Sequence, residues 1–396
     1  MSLIDRDKAI ARLMRFLAVE GTTGHEAAIG REVEAALIEA GVPRSAIHYD
    51  DANRRIPVPT QTGNLLVDLP GTRPGPRLLF MTHLDTVPLC AGAKPVRQGE
   101  RIVPAGKTSL GGDNRTGVAA LVTLVATLIE QKLPHPPLTL LFTVREESGL
   151  FGAKHLNPAE LRGPLMGFNV DGRVAHEITI GAVGAERWEV EITGKASHAG
   201  VHPEKGISAS MVAALALAEA FRGGWFGKVT QGERQGTSNV GSIGDKDGRS
   251  AGQATNVVTD FVRLTGESRS HDPQTATAIT SAYKAAFEKA ASEIRDDAGK
   301  SAQVKFESRL DYHPFRIAED APVVVHTCQA VESLGWKPVL KIGNGGLDAN
   351  WLVRHGIPTI TVGAGQNQIH TAEEYVELAD FERGCQVVLA LATKED

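Results

Sequence analysis

Apolar residues come in unbroken runs near the two ends of the chain and alternate with polar residues in its middle. "RLLFMT" (77–82), "LTLLFTV" (138–144), "LMGFNV" (165–170) and "PTITVG" (358–363) are short, rich in Leu, Val, Ile or Phe, and show no alternation. That pattern predicts strands buried on both faces, in a sheet sandwiched by helices. "TGVAALVTLVATLIEQ" (116–131) is long enough for a covering helix. Ile10, Leu13, Met14 and Leu17 recur at helical spacing and predict an amphipathic surface helix. A second helix is expected from about Glu26 to Ala40, stopped by Gly41. In the middle, "RWEVEITG" (187–194) sets Trp188, Val190 and Ile192 against Glu189, Glu191 and Thr193. "TDFVRLTGESR" (259–269) alternates likewise, and both predict antiparallel strands with one wet face. Helical stretches at 207–221 and 272–294 and a returning strand at 303–310 complete this part, and a further helix is expected at 321–335. The fold class expected is α/β, a helix-sandwiched, mostly parallel sheet formed by 1–184 and 314–396. A smaller α+β domain, 185–313, is inserted into it.

Composition narrows the functional classes. The chain has 396 residues, 42% hydrophobic and 22% charged, as in a globular protein large enough for two domains. A formal net charge of -5 gives no electrostatic reason to expect nucleic acid or an anionic membrane as partner. Cys90, Cys328 and Cys385 are scattered and form no CxxC motif. A disulfide framework or thiolate metal site is therefore not expected, and a reducing cytoplasm fits. The N-terminal segment is charged throughout and lacks a signal-peptide core, and no run approaches transmembrane length.

The polar residues that remain collect where each buried run ends. "RLLFMT" leads to His83 and Asp85, "LTLLFTV" to Glu146 and Glu147, "LMGFNV" to Asp171, and "PTITVG" through "AGQNQ" to His370. Asp113 stands in "LGGDNRTG", just before the covering helix. Ligands of open α/β sheets bind beyond the carboxyl ends of the strands. His, Asp and Glu without cysteine suit zinc or another borderline divalent ion. Two such ions need a bridging carboxylate, terminal ligands and a general base, and the adjacent Glu146 and Glu147 can divide coordination and base between them.

"THLDTVP", "GGDNRTGVAAL", "TVREESGLFGAKHL", "NVDG" and the late "IH" resemble the M20 family of dinuclear zinc peptidases, within it the peptidase T-like, tripeptide-aminopeptidase-like branch. The resemblance runs from about residue 10 to 390. It implies that His83, Asp113 and Asp171 hold one metal and that Asp113, Glu147 and His370 hold the other, with Asp113 bridging. Glu146 would be the base, Asp85 would orient His83, and the peptide bond after Asp113 would be cis. Many relatives carry an acidic residue where this chain has Asn114. In the inserted domain, His198 of "GKASHAG" would stabilise the oxyanion, from the other subunit in dimeric relatives. Asn256 and Arg269 would clamp a substrate carboxylate, a role that suits the guanidinium fork. The expected cofactors are two divalent ions, Zn2+ with Co2+ or Mn2+ as alternatives. The expected substrate is a short peptide, and the expected assembly a cytoplasmic homodimer whose inserted domain is a lid or dimerisation domain.

Rival readings are weaker or stay open. "PAGKTS" lacks the upstream glycine of a phosphate-binding loop, since Arg101 stands there, and neither GxSxG nor GxGxxG occurs. Cys90 reads as a small core residue. "GNGGLDAN" (343–350) has a glycine-rich turn that would let substrate backbone approach closely. An N-acyl amino acid amidohydrolase or a dipeptidase would use the same metals. A catalytically silent peptide-binding protein has no need of Glu146 together with a full ligand set.

Overall fold

The computed structural model describes residues 3–394 apart from 246, 248–250 and 253. They form two compact units, one up to Ala182 and again from Arg316 onward, the other Val183–Phe315.

The first unit is built on a mixed sheet whose centre is parallel. In order across it lie Ile47–Tyr49, Leu65–Leu69, Leu138–Thr143, Leu78–His83, Met166–Val170, Thr359–Val362 and Glu177–Ala182, with Val339–Gly343 beside the last. Leu78–His83 runs parallel to both neighbours, and Met166–Val170 parallel to Thr359–Val362. The unbroken apolar runs are explained by burial on both faces. Leu79 and Met81 pack with Leu66, Leu141, Leu352 and Ile357 on one side. Phe80 stacks toward Phe168 at 5.1 Å on the other, where His326 of the helix Pro322–Ser333 also meets Phe168. The covering helix lies within Gly112–Glu130, non-helical at Asp113 and Asn114 and regular only beyond them, close to the expected start at 116, and the helices Arg6–Leu17, Ala27–Glu39 and Leu378–Thr393 pack on it. Gly117 lets this helix press onto the strand ends: a Cβ there would lie 2.2 Å from Thr82 Oγ1 and 2.4 Å from the Val170 carbonyl. A separate antiparallel sheet joins Gln366–Asn367, Tyr375–Glu377, Arg101–Pro104 and Pro95–Gln98. It anchors the turn that carries His370. Among the described residues no helix is long and apolar enough to cross a membrane.

The second unit is an antiparallel sheet in the order Gly227–Gln231, Arg234–Gly244, Phe261–Ser270, Gly184–Thr193, Gln303–Tyr312. The alternation in the sequence is its two-faced burial. Trp188, Val190, Ile192, Val262 and Leu264 face Ile279, Tyr283 and Phe287 of the helix Pro273–Glu293 and the helix Ala209–Arg222. Gly266 makes room for the Trp188 ring, which a Cβ would meet at 2.1 Å. The hairpin of Gly227–Gln231 and Arg234–Gly244 has no apolar signature, because "RQGTSNVGSIG" is mostly small and polar.

Candidate metal centre

Five residues singled out as ligands lie together at one edge of the first unit's sheet. His83 closes its strand, Asp113 opens the covering helix, and Glu147 and Asp171 follow the strands on either side. His370 comes from the turn between Gln366–Asn367 and Tyr375–Glu377. The Asp113 carboxylate faces two ways. Its Oδ1 is 3.0 Å from His83 Nε2, and its Oδ2 is 3.3 Å from His370 Nε2. On the first side, Asp171 Oδ1 is 3.8 Å from His83 Nε2. On the second, Glu147 Oε2 is 2.9 Å from His370 Nε2. His83, Asp113 and Glu147 each present a ligand atom within 4.8 Å of the others. The Asp113–Asn114 peptide bond is cis.

Surrounding groups hold this set in place. The nearest acceptor to His83 Nδ1 is the main-chain carbonyl of Asp85, at 2.9 Å, with the Asp85 carboxylate farther away at 3.5 Å. That carboxylate instead accepts from the backbone N–H groups of Glu146 and Glu147. Asn114 donates to the Val170 carbonyl at 2.8 Å and accepts from the Gly117 N–H at 3.0 Å. Donation to a carbonyl requires an amide, so an ionised acid here would have no equivalent bond.

The electrostatics call for a cation. Burial raises the Glu146 carboxyl well above its usual range, and Asp171, Asp348 and Glu147 add to the effect. Glu147 is pushed up to about 7 by burial and by Asp113, and Asp171 to about 6 by the same causes. Burial alone would raise Asp113 too, but hydrogen bonds from His370 and His83 outweigh it and hold it low. His370 is pushed up to about 10 by Asp113 and then Glu147. Carboxylates thus outnumber imidazoles in a buried place, the usual condition for a divalent ion. The oxygen and imidazole donors fit zinc and its neighbours.

Four further residues at this site escaped the sequence reading. Asp348, at the head of the helix Asp348–Arg354, accepts from Thr143 Oγ1, while its other oxygen is buried without a partner. Burial pushes its carboxyl up to about 7. Gln366 donates to Asp171 Oδ1 at 3.2 Å. The fully buried Arg115 donates to the carbonyls of Phe16, Leu84 and Val19. Glu374 accepts from the backbone of Asp113. The signal available was their closeness in sequence to Asp113, His370 and the glycine-rich turn.

His198, Asn256 and Arg269 belong to the second unit. His198 and Asn256 are exposed and neighbours, because the Ala199 N–H donates to the Asn256 carbonyl at 2.9 Å. Arg269 lies on Phe261–Ser270, and its Nη2 donates to Glu267 Oε2 at 3.0 Å. Its Nε is 2.9 Å from Oε1 but too poorly aligned to make a hydrogen bond.

The model of peptidase family M20/M25/M40 matches residues 79–394. The chain belongs to this family. It is 31% identical to an aminopeptidase PepT from Bacillus cereus, whose crystal structure superposes with a TM-score of 0.82 over 99% of each chain. A tripeptidase from Staphylococcus aureus superposes with a TM-score of 0.86 at 28% identity, again over 99% of each chain. Among curated proteins, YqjE of Bacillus subtilis, named as uncharacterized, is 30% identical over 98% of each chain. As a member of the M20 peptidases with a His–Asp–Glu group gathered at its sheet edge, the chain is a metal-dependent peptide hydrolase.

Proposed function

We propose that this M20 peptidase uses two divalent ions to hydrolyse a peptide bond of short peptides, as an aminopeptidase acting on tripeptides. The observation that carries the reading is the Asp113 carboxylate, whose two oxygens face different histidines at 3.0 and 3.3 Å. A carboxylate so placed suits a bridge, with His83 and Asp171 on one side and Glu147 and His370 on the other. When bound, such ions supply Lewis acidity and lower the pKa of water. The rest falls to the chain's own groups. Glu146, whose proton affinity is raised by burial, takes the proton of the attacking water and returns it to the leaving amine. Asp85 holds the backbone that carries Glu146. His198 donates to the carbonyl oxygen as charge develops on it. Arg269 and Asn256 hold the substrate's terminal carboxylate, which limits the enzyme to short chains. Zinc is the ion proposed, with Co2+ or Mn2+ as alternatives. A homodimer formed through the inserted unit and a cytoplasmic setting complete the reading, and the free Cys90, Cys328 and Cys385 fit a reducing compartment.

The test is turnover by metal-free protein reloaded with Zn2+, Co2+ or Mn2+ and offered tripeptides, dipeptides and N-acyl amino acids. Preference for tripeptides with a free amino end is expected. Preference for N-acyl amino acids would make the enzyme an amidohydrolase. No turnover with any ion would leave the scaffold to a binding role.

A further inference from the structure

Four residues after His370 the same turn ends in Glu374, which is 1% exposed. Its Oε2 accepts from the N–H groups of Leu110 and Gly111, each at 2.8 Å, and from the Ser109 hydroxyl. Its Oε1 accepts from the N–H of Asp113 at 3.0 Å. A buried carboxylate is costly unless both its oxygens are hydrogen-bonded, and these four donors supply three bonds to Oε2 and one to Oε1. Closing the 109–111 loop needs only one of the oxygens. The other is spent on the main chain of Asp113, whose own carboxylate reaches both histidines. Glu374 and His370 also share one short segment, which runs from Gln366–Asn367 into Tyr375–Glu377, where Val376 pairs with Ile102 of the small sheet. One short segment therefore holds the backbone of Asp113 and presents a histidine to its carboxylate.

We propose that Glu374 is a positioning residue of the metal centre, fixing the backbone of Asp113 so that one carboxylate serves both cations; this rests on the two-ion reading above. The effect is on ligand placement, so it registers in metal binding before any turnover is measured. Supporting groups of this kind typically contribute about 10- to 100-fold in metal affinity.

Metal-free wild type, Glu374→Gln, Glu374→Asp and Ser109→Ala are titrated with Co2+, read by its visible absorption and by calorimetry. In Glu374→Gln a single amide oxygen replaces two carboxylate oxygens. If it keeps the 109–111 donors, its NH2 group meets the Asp113 N–H donor to donor. Binding about 10- to 100-fold weaker, with an altered cobalt spectrum, is expected. Ser109→Ala keeps the Asp113 contact and weakens binding by less than that range. Wild-type binding by Glu374→Gln overturns the proposal, as does equal weakening by Ser109→Ala. Should Glu374→Gln fail to fold, Glu374→Asp decides. Its carboxylate is one methylene short of spanning both sets of donors, so weakened binding supports the proposal and wild-type affinity overturns it. Absence of Co2+ binding by wild-type protein overturns the two-ion reading and the proposal with it.

Discussion

The Asp85 carboxylate accepts the backbone N–H of Glu146 at 2.9 Å, and through its other oxygen the N–H of Glu147 at 3.1 Å. The aspartate two residues beyond His83 therefore holds the loop of the neighbouring strand, while its carbonyl faces His83 Nδ1. Both side chains proposed as base and ligand depend on that loop. Asp85→Asn replaces one acceptor by a donor and turns it against an N–H group. We expect metal affinity to fall by about 10- to 100-fold, together with kcat. Calorimetric metal titration checks this, and an unchanged affinity would show that the loop holds its shape without Asp85.

Glu146 is buried beside the proposed ligands yet contributes no ligand atom to the His83, Asp113 and Glu147 group. Loss of a general base typically lowers the rate by about 100- to 10,000-fold. Glu146→Ala should reduce kcat over that range while metal content by atomic spectroscopy stays at the wild-type value. Loss of metal along with activity would reassign Glu146 as a ligand.

Arg269 donates to Glu267 through Nη2 and turns its buried Nε toward the same carboxylate, so a substrate carboxylate would be met by the remaining N–H groups of the fork. A charge-assisted hydrogen bond is worth about 1.5 to 3 kcal/mol, so Arg269→Ala should lower kcat/KM by about 10- to 100-fold. The loss should appear for peptides with a free terminal carboxylate and not for their amides. Equal losses on both would remove Arg269 from substrate binding.

Much of this architecture was legible because burial leaves a direct mark on sequence. The runs around Leu79, Leu140, Phe168 and Ile360 are apolar throughout because helices or loops cover both faces of their strands. The residues that end those runs, His83, Glu147 and Asp171, stand out against them as polar groups. Glu374 and Asp348 carry no such contrast. Glu374 acts on backbone N–H groups, which every residue possesses, from more than 260 positions away in sequence. Asp348 follows two glycines and a leucine, and only the fold reveals its burial against Thr143. The Arg269–Glu267 pair could have been inferred from its i, i+2 spacing on an alternating strand.

Glu26 offers a test of stability at a residue that is not itself a proposed metal ligand. It is fully buried, and its Oε1 accepts from the N–H groups of Gly24, at 2.6 Å, and Arg145, at 3.1 Å. Its Oε2 has no partner. Burial, followed by the charge of Asp85, pushes its carboxyl up to about 7 from an ordinary 4.5. Below pH 4.5 the folded and unfolded chains both hold the proton, and above 7 neither does. Between these values the folded chain keeps a proton that the unfolded chain has released, so stability falls as pH rises. At about 1.4 kcal/mol per pKa unit, the fall attributable to Glu26 is on the order of 3 kcal/mol. Glu26→Gln keeps an oxygen for both N–H groups and cannot ionise. Thermal melts of metal-free protein between pH 5 and 8 should therefore show a smaller decline in Tm for the variant than for wild type. Parallel declines would mean that Glu26 is already ionised in the folded chain at pH 5.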